Sequence, residues 1–408
     1  MSKGRLVLHK SKAQSALDIA LRILSTASRI LPAITPSNAR SERLRLAELA
    51  ARGRFEDPNW EPCVRRVPRE VWSTLKAARR TARGLVAAEL YCRRLDEIEL
   101  DLGILAASQD PKKVQKLSAE RFGTGDTQVV GFDGTRSSVS EVARLLLQTV
   151  DPDSEPRTLC ADGAPDSLAE TIRQMALFVG LSPVVRVEPQ LASAAATGDR
   201  LVLVADRAFG CREVLRLAVH EVLGHLVAAG NGRAQPLRLF ELGTGGSFVD
   251  QEGLSIFLEE KAGLLDRSRV RTLAARTLAT DRVYGGASFC DVVAEAVREL
   301  HCSPLDAVIL AERAFRGGGV ARDVSYLMGW LRVRRAVAAG EVSVDELRNG
   351  RIGLNDVAFM RNLMRDGWTR PPVYAPSLSR SLEATAFGTR LETSPPRFET
   401  SLIRFDAT

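Results

Sequence analysis

The stretch His220-Glu221-Val222-Leu223-Gly224-His225 constrains this chain more than any other. Two of the chain's four histidines bracket it, and a glutamate follows the first directly. A helix carrying such a group offers two neutral imidazoles to a zinc ion and a carboxylate to the zinc-bound water. The familiar spacing of the two histidines is four residues, which separates them by only ~40° around an α-helix. Here the step is five residues, or ~140°, too wide for both rings to reach one metal from a regular helix. The spacing therefore demands a distorted turn. A π-bulge, which inserts one extra residue and recurs at functional sites, restores a common face. Gly224 is its expected place, because glycine tolerates unusual backbone geometry. In a regular helix the two histidines would instead lie on different faces, one in the core and one solvated.

Residues Cys211 to Ala229 read as the helix that carries the motif. Val214, Leu215, Ala218, Val222 and Leu226 form its buried side, and Gly230-Asn231-Gly232 reads as its C-terminal stop. The connection beyond contains Gly243-Thr244-Gly245-Gly246. This run has no lysine-serine ending and no strand-to-helix setting, which excludes a phosphate loop and leaves a flexible approach to the site. Asp250 then reads as the cap of a helix containing Glu252. A carboxylate from a separate, following helix is how a two-His-one-carboxylate site is completed. Glu259 and Glu260 compete for that place on the same helix, although a solvated position suits them better.

The surrounding chain reads as scaffold. Residues 1–125 form a helical N-terminal region, with Leu17, Ala20, Leu21 and Leu24 at helical spacing and Asp110-Pro111 as a helix start. Residues 126–370 have a mixed texture and form the candidate catalytic domain. Ser138 with Glu141 is a capping box, and Asp166-Ser167-Leu168 opens another helix. Val184 to Val187 and Leu201 to Val204 read as strands joined by alanine-rich residues. A strand pair followed by a His-Glu helix is the order found in zinc peptidases, an analogy of architecture. Gly329 to Ala339 and Val344 to Met364 read as helices, and residues 371–408 as an extended or disordered Pro/Ser/Thr-rich tail.

Composition narrows the partners. Fifty-seven basic and 50 acidic residues leave a net charge of +7, a small excess on a heavily charged surface. No module or aromatic-interleaved basic stripe points to nucleic acid, so none is expected. Six cysteines without a C-x-x-C pair support neither a zinc ribbon nor a disulfide framework. The apolar region Ala16 to Ile34 is interrupted by Asp18, Arg22 and Arg29, so it is neither a signal segment nor a membrane span. A cytoplasmic protein without a membrane partner is the expectation.

His-Glu-x-x-x-His followed by Gln251-Glu252-Gly253-Leu254-Ser255 resembles the tyrosine/phenylalanine carboxypeptidase family. That family includes the microtubule-associated tyrosine carboxypeptidases and bacterial flavohaemoglobin expression-modulating QEGLA-motif proteins. Arg313-Ala314-Phe315-Arg316-Gly317 and Arg322-Asp323-Val324-Ser325-Tyr326-Leu327 are similar to two further family segments, in the same order. The resemblance covers about residues 40–365. Departures are Leu223-Gly224 where relatives often carry Gly-Thr, Ser255 for Ala, and Arg322 for Lys. The resemblance implies an α+β, predominantly helical, zincin-like (gluzincin-type) metallopeptidase with a small sheet beside the motif helix. It implies one Zn²⁺ per chain on His220, His225 and Glu252, with Glu221 as general base on the zinc-bound water. Tyr326 becomes the candidate donor to the oxyanion, and Arg313, Arg316 and Arg322 the candidates for the substrate's terminal carboxylate. The implied reaction removes a C-terminal residue, aromatic by analogy (Tyr or Phe), from a protein or peptide. Two other readings remain: a zinc hydrolase of another small amide or peptide-maturation substrate, and a non-catalytic zinc-containing regulatory protein.

Overall fold

Leu17, Leu21 and Leu24 recur at helical spacing, and all three are buried on one face of the helix Lys12–Ala27, whose first turn Ser11 caps. The computed structural model in which this is seen describes residues 11–61, 66–131, 134–150, 155–198 and 200–387. The same periodicity repeats through Ala39–Ala51, Arg69–Ala82, Ala88–Ala106 and Pro111–Phe122, so the N-terminal part is helical. Local caps fall where side-chain chemistry places them. Asp110 accepts from the Lys113 N–H, Ser138 and Glu141 form a capping box, and Ser167 caps Leu168–Phe178.

Strands are few. β1 (Gln128–Val130) and β2 (Arg136–Ser138) make an antiparallel hairpin. β3 (Val184–Glu188) and β5 (Leu201–Ala205) pair in parallel, with Val184 opposite Leu201. The alanine-rich connector between them is more than a link. Its residues Ala195–Thr197 form β4, which pairs antiparallel with β5 and lies at one edge of the three-stranded sheet. β4 packs against the motif helix, which places a small-side-chain edge beside it. The architecture is α+β and predominantly helical. One apolar cluster runs from Leu17 in the first helix through Leu215, Leu254 and Leu327 to Phe387. Among the described residues no helix is long and apolar enough to cross a membrane.

Several boundaries differ from the sequence reading. The motif helix does not stop at Gly230-Asn231-Gly232 but continues to Ala234. These glycines serve close packing: a Cβ on Gly232 would sit 2.3 Å from the Phe240 carbonyl oxygen. Asn231 is fully buried between them. Its amide donates to the Arg348 and Tyr374 carbonyls and accepts from the Val373 and Tyr374 N–H groups. Residues 371–387 are consequently no loose tail. They strap across the back of the motif helix, form the helix Leu378–Glu383, and bury Leu382 and Phe387. The remainder of that expected tail, 388–408, lies outside the described residues. The helix expected over Val344 to Met364 is broken by residues 348–353, where Gly350 adopts φ +152° against Phe240.

The Gly243–Gly246 run is a packed corner rather than a flexible approach. Thr244 is fully buried and accepts from the Gly353 N–H, and Gly245 abuts Arg93. The helix that follows, Ser247–Lys261, starts three residues before Asp250. Asp250 is therefore not a cap but a buried acceptor for Arg332 at 3.0 Å and the Leu354 N–H at 2.7 Å. Ser247–Lys261 crosses Val324–Ala338 at bare backbone, since a Cβ on Gly253 would lie 2.1 Å from the Gly329 carbonyl. That contact fixes how far Glu252 projects.

Candidate metal centre

The five-residue step between the histidines is absorbed by the helix itself. Cys211–Ala218 is α-helical, Val219–Leu226 is π-helical, and Val227–Ala234 is α-helical again. A π-helix bonds residue i to i+5, so side chains five apart stack on one face. His220 and His225 fall into that register, with ring centres 4.9 Å apart. The distortion extends over two turns instead of one residue. Gly224 is glycine for a different reason: its Cβ would lie 2.0 Å from the Ser255 hydroxyl oxygen. The π segment can therefore approach the Glu252 helix closely enough for a shared site.

His220, His225 and Glu252 form a group that could hold a metal ion. The Nε2 atoms of the two histidines are 3.2 Å apart, and Glu252 Oε2 lies 3.3 Å from His220 Nε2 and 3.5 Å from His225 Nε2. Ligands at ~2.0–2.1 Å around a tetrahedral zinc are separated by about 3.4 Å, so the triangle fits that ion. The charges fit as well. Burial alone would lower the His220 pKa, but hydrogen bonds to Glu252 and Glu259 raise it to about 9. The Glu252 pKa is driven well below its ordinary value: burial opposes this, and the charge of His225 and hydrogen bonds from both histidines outweigh it. The cluster is built for positive charge.

His220 is held from behind. Its Nδ1 lies 2.7 Å from Glu259 Oε1, and Glu259 is fully buried. Arg269 meets both Glu259 oxygens at 3.1 Å, and Arg216 approaches to 3.5 Å. A carboxylate on the outer imidazole nitrogen fixes the tautomer and aims Nε2 at a metal. The solvated position expected for Glu259 is overturned by its full burial. The helix rotates it seven residues beyond Glu252, two turns on and on the same face. That i, i+7 relation was the available signal. Glu260, the next residue, points elsewhere and accepts from Trp330 and Arg334.

Beside His220 lies a cavity of about 710 Å³, lined in part by Ser193, Ala195, His220, Glu221, Arg276 and Tyr326. Glu221 is buried, and its Oε2 has no hydrogen-bond partner among the described residues. An orphaned carboxylate oxygen beside two imidazoles is costly unless a water or substrate completes it. Tyr326 is also buried; desolvation, followed by the charge of Glu252, raises its pKa. Its hydroxyl is thus a proton donor at neutral pH.

The three arginines singled out from sequence occupy different settings. Arg313 is tied to Asp323 through two bonds, at 2.7 and 2.6 Å, and donates to Ser193 at 2.6 Å. Arg322 stacks over Phe248 with Nη2 3.8 Å from Glu252 Oε1. Arg316 is buried 3.8 Å from Glu312. A fourth arginine, Arg276, joins them without having been marked in the sequence. Its guanidinium stands 5.6 Å from the Tyr326 ring centre, faces the cavity, and makes no side-chain hydrogen bond or ion pair among the described residues. Burial lowers its pKa to about 9. No local pattern marks it, because its exposure to the cavity depends on distant packing.

A family model described as microtubule-associated tyrosine carboxypeptidase matches residues 47–391, most of the chain and every residue of the centre. No curated protein and no solved structure matches the chain.

Proposed function

The chain belongs to the microtubule-associated tyrosine carboxypeptidase family, and from that premise we propose that it is a zinc-dependent metallocarboxypeptidase of zincin-like (gluzincin-type) fold. Its substrate is the C-terminus of a protein or peptide, with Tyr or Phe as the residue released. The observation that carries the metal assignment is the 3.2, 3.3 and 3.5 Å triangle of His220, His225 and Glu252. When bound, zinc supplies a water acidified toward a pKa of ~7 and polarises the scissile carbonyl.

The chain's own residues do the rest. Glu221 takes the proton of the attacking water on its unpartnered oxygen and hands it to the leaving amine. Tyr326 donates to the developing oxyanion, which its raised pKa permits. Edge strand β4 aligns the peptide, its alanines leaving room for backbone contact. An exopeptidase must also recognise a free carboxylate, and a guanidinium fork suits it. The Arg313 fork is occupied by Asp323, so it acts by adding charge and by supporting the wall. Arg276 meets the carboxylate in the cavity, and Arg316 and Arg322 add positive potential from behind Tyr326. All five described cysteines are free, which supports a cytoplasmic setting.

The test is a peptide library varied at its last residue, presented to the zinc-loaded wild type and to Glu221→Gln. Release of single terminal aromatic residues by the wild type alone is expected. Intact peptides despite one zinc per chain would refute the enzyme reading, and internal cleavage would make the protein an endopeptidase.

A further inference from the structure

A second cavity, about 20 Å³, lies behind Tyr326 and is bounded by Leu31, Arg316, Val320 and Arg322 together with the Arg313–Asp323 pair. The Arg316 side chain is only 7% exposed, yet its Nε and Nη2 have no hydrogen-bond partner among the described residues. The Nε of Arg322 has none either. The carboxylates nearby are spent on other arginines. Glu312 gives its two oxygens to Arg43 at 2.6 and 3.0 Å, and Asp323 gives both of its own to Arg313. Arg43, Arg313 and Arg316 thus share two carboxylates, and Arg322 has Glu252 alone, at 3.8 Å. Burial without enough counter-charge lowers the Arg316 pKa to about 10.

The backbone is shaped to produce this arrangement. At Arg316 (φ −51°, ψ +130°) the chain leaves the helix Pro304–Gly319, and Gly317, Gly318 and Gly319 follow at φ +62°, +95° and +100°. Three successive left-handed residues favour glycine. A Cβ on Gly317 would also strike Ile34 at 2.6 Å. A guanidinium turned inward by a dedicated turn, with donors left over and a space beside them, is a site awaiting an acceptor. Water could accept the hydrogen bonds but would leave the charge unbalanced.

We propose that this cavity binds one small anion, of chloride size, held by Arg316 and Arg322 behind Tyr326. The inference goes beyond the metal reading and does not depend on it. Tyr326 lines both cavities, and Arg322 lies 3.8 Å from Glu252, so an anion here would tune the centre from its far side.

Thermal unfolding of the full chain in sodium chloride and in sodium gluconate, at constant ionic strength, tests this. Chloride is expected to raise Tm saturably, by ~1–2 °C at tenfold above half-saturation. Arg316→Met should lose the response while unfolding no earlier than wild type in gluconate. A bromide soak of wild-type crystals should place one anomalous peak within hydrogen-bond reach of Arg316, a result independent of whether the variant folds. Equal Tm in the two salts, a response retained by Arg316→Met, or no bromide peak would overturn the proposal. The other source of the same chemistry is the substrate's terminal carboxylate. Free phenylalanine should leave the bromide peak in place; if it displaces bromide from Arg316, the cavity is the carboxylate subsite and the free-anion proposal falls.

Discussion

Replacing Glu259 by Gln removes one charge from a fully buried side chain without changing its shape. In the wild type Glu259 accepts from His220 Nδ1 at 2.7 Å and from Arg269 twice at 3.1 Å. Glutamine has a single acceptor oxygen, so either the imidazole or the guanidinium must face an NH₂ group. With the oxygen kept by Arg269, His220 loses the partner that fixes its tautomer. Such second-layer substitutions weaken metal binding ~10–100-fold, or about 1.4–2.8 kcal/mol. Glu259→Ala is a poorer test, because uncompensated Arg269 would cost about 3–5 kcal/mol of fold stability. The assay is competition for Zn²⁺ between the apo protein and a chromophoric chelator, with thermal unfolding of the same samples. Glu260→Gln serves as the comparison. Its carboxylate holds Trp330 and Arg334, away from the centre, so its zinc affinity should equal the wild type's. A zinc Kd within twofold of wild type in folded Glu259→Gln would refute the reasoning. So would an equal loss in Glu260→Gln.

Four further outcomes follow from the geometry. Gly224→Ala should destabilise the fold by about 1–3 kcal/mol in urea titration, and Ser255→Gly in the same chain should restore much of it, since Ser255 is what the new Cβ meets. Asn231→Ala removes four hydrogen bonds, three to the strap at Val373 and Tyr374 and one to the Arg348 carbonyl, worth about 1 kcal/mol each; limited proteolysis should then cut the strap before the rest of the chain. Arg276→Met should raise KM ~10–100-fold for peptides with a free terminus while leaving amidated peptides equally poor substrates for both proteins. Burial pushes the Glu213 pKa up, but the hydrogen bond from Arg207 and the charges of Arg207, Arg216 and Arg157 bring it down to about 2. Its stabilisation, about 3 kcal/mol, is present above pH ~4.5 and lost as pH falls through about 2. The urea midpoint of Glu213→Gln should therefore vary less than wild type over that window.

Much of the centre could be read from the chain, because its signals are local. A His-Glu pair and a second His five residues on leave few backbones that serve one metal, and the π-helix is the one adopted. The capping box at Ser138, the Asp110 cap and the leucine spacing of the first helix are likewise decided between near neighbours. The glycines misled. Gly230 and Gly232 have the look of a helix stop, yet they make room for Tyr374 and Phe240 inside a continuing helix. Asp250 looks like a cap until Arg332, 82 residues away, claims it.

What only the tertiary structure decided is the partner of each charge. Glu259 and Glu260 are identical neighbours in the sequence, one helix step of ~100° apart. The crossing of Ser247–Lys261 over Val324–Ala338, set by Gly253 against Gly329, turns the first toward His220 and the second toward Trp330. Arg276, Arg313 and Arg316 are equally indistinct as letters. One faces the cavity over the Tyr326 ring, one is locked to Asp323, and one has its side chain buried with donors to spare among the described residues. A charge is placed by the sum of distant contacts and by the cost of leaving it unpaired, and neither is written in its neighbours along the chain.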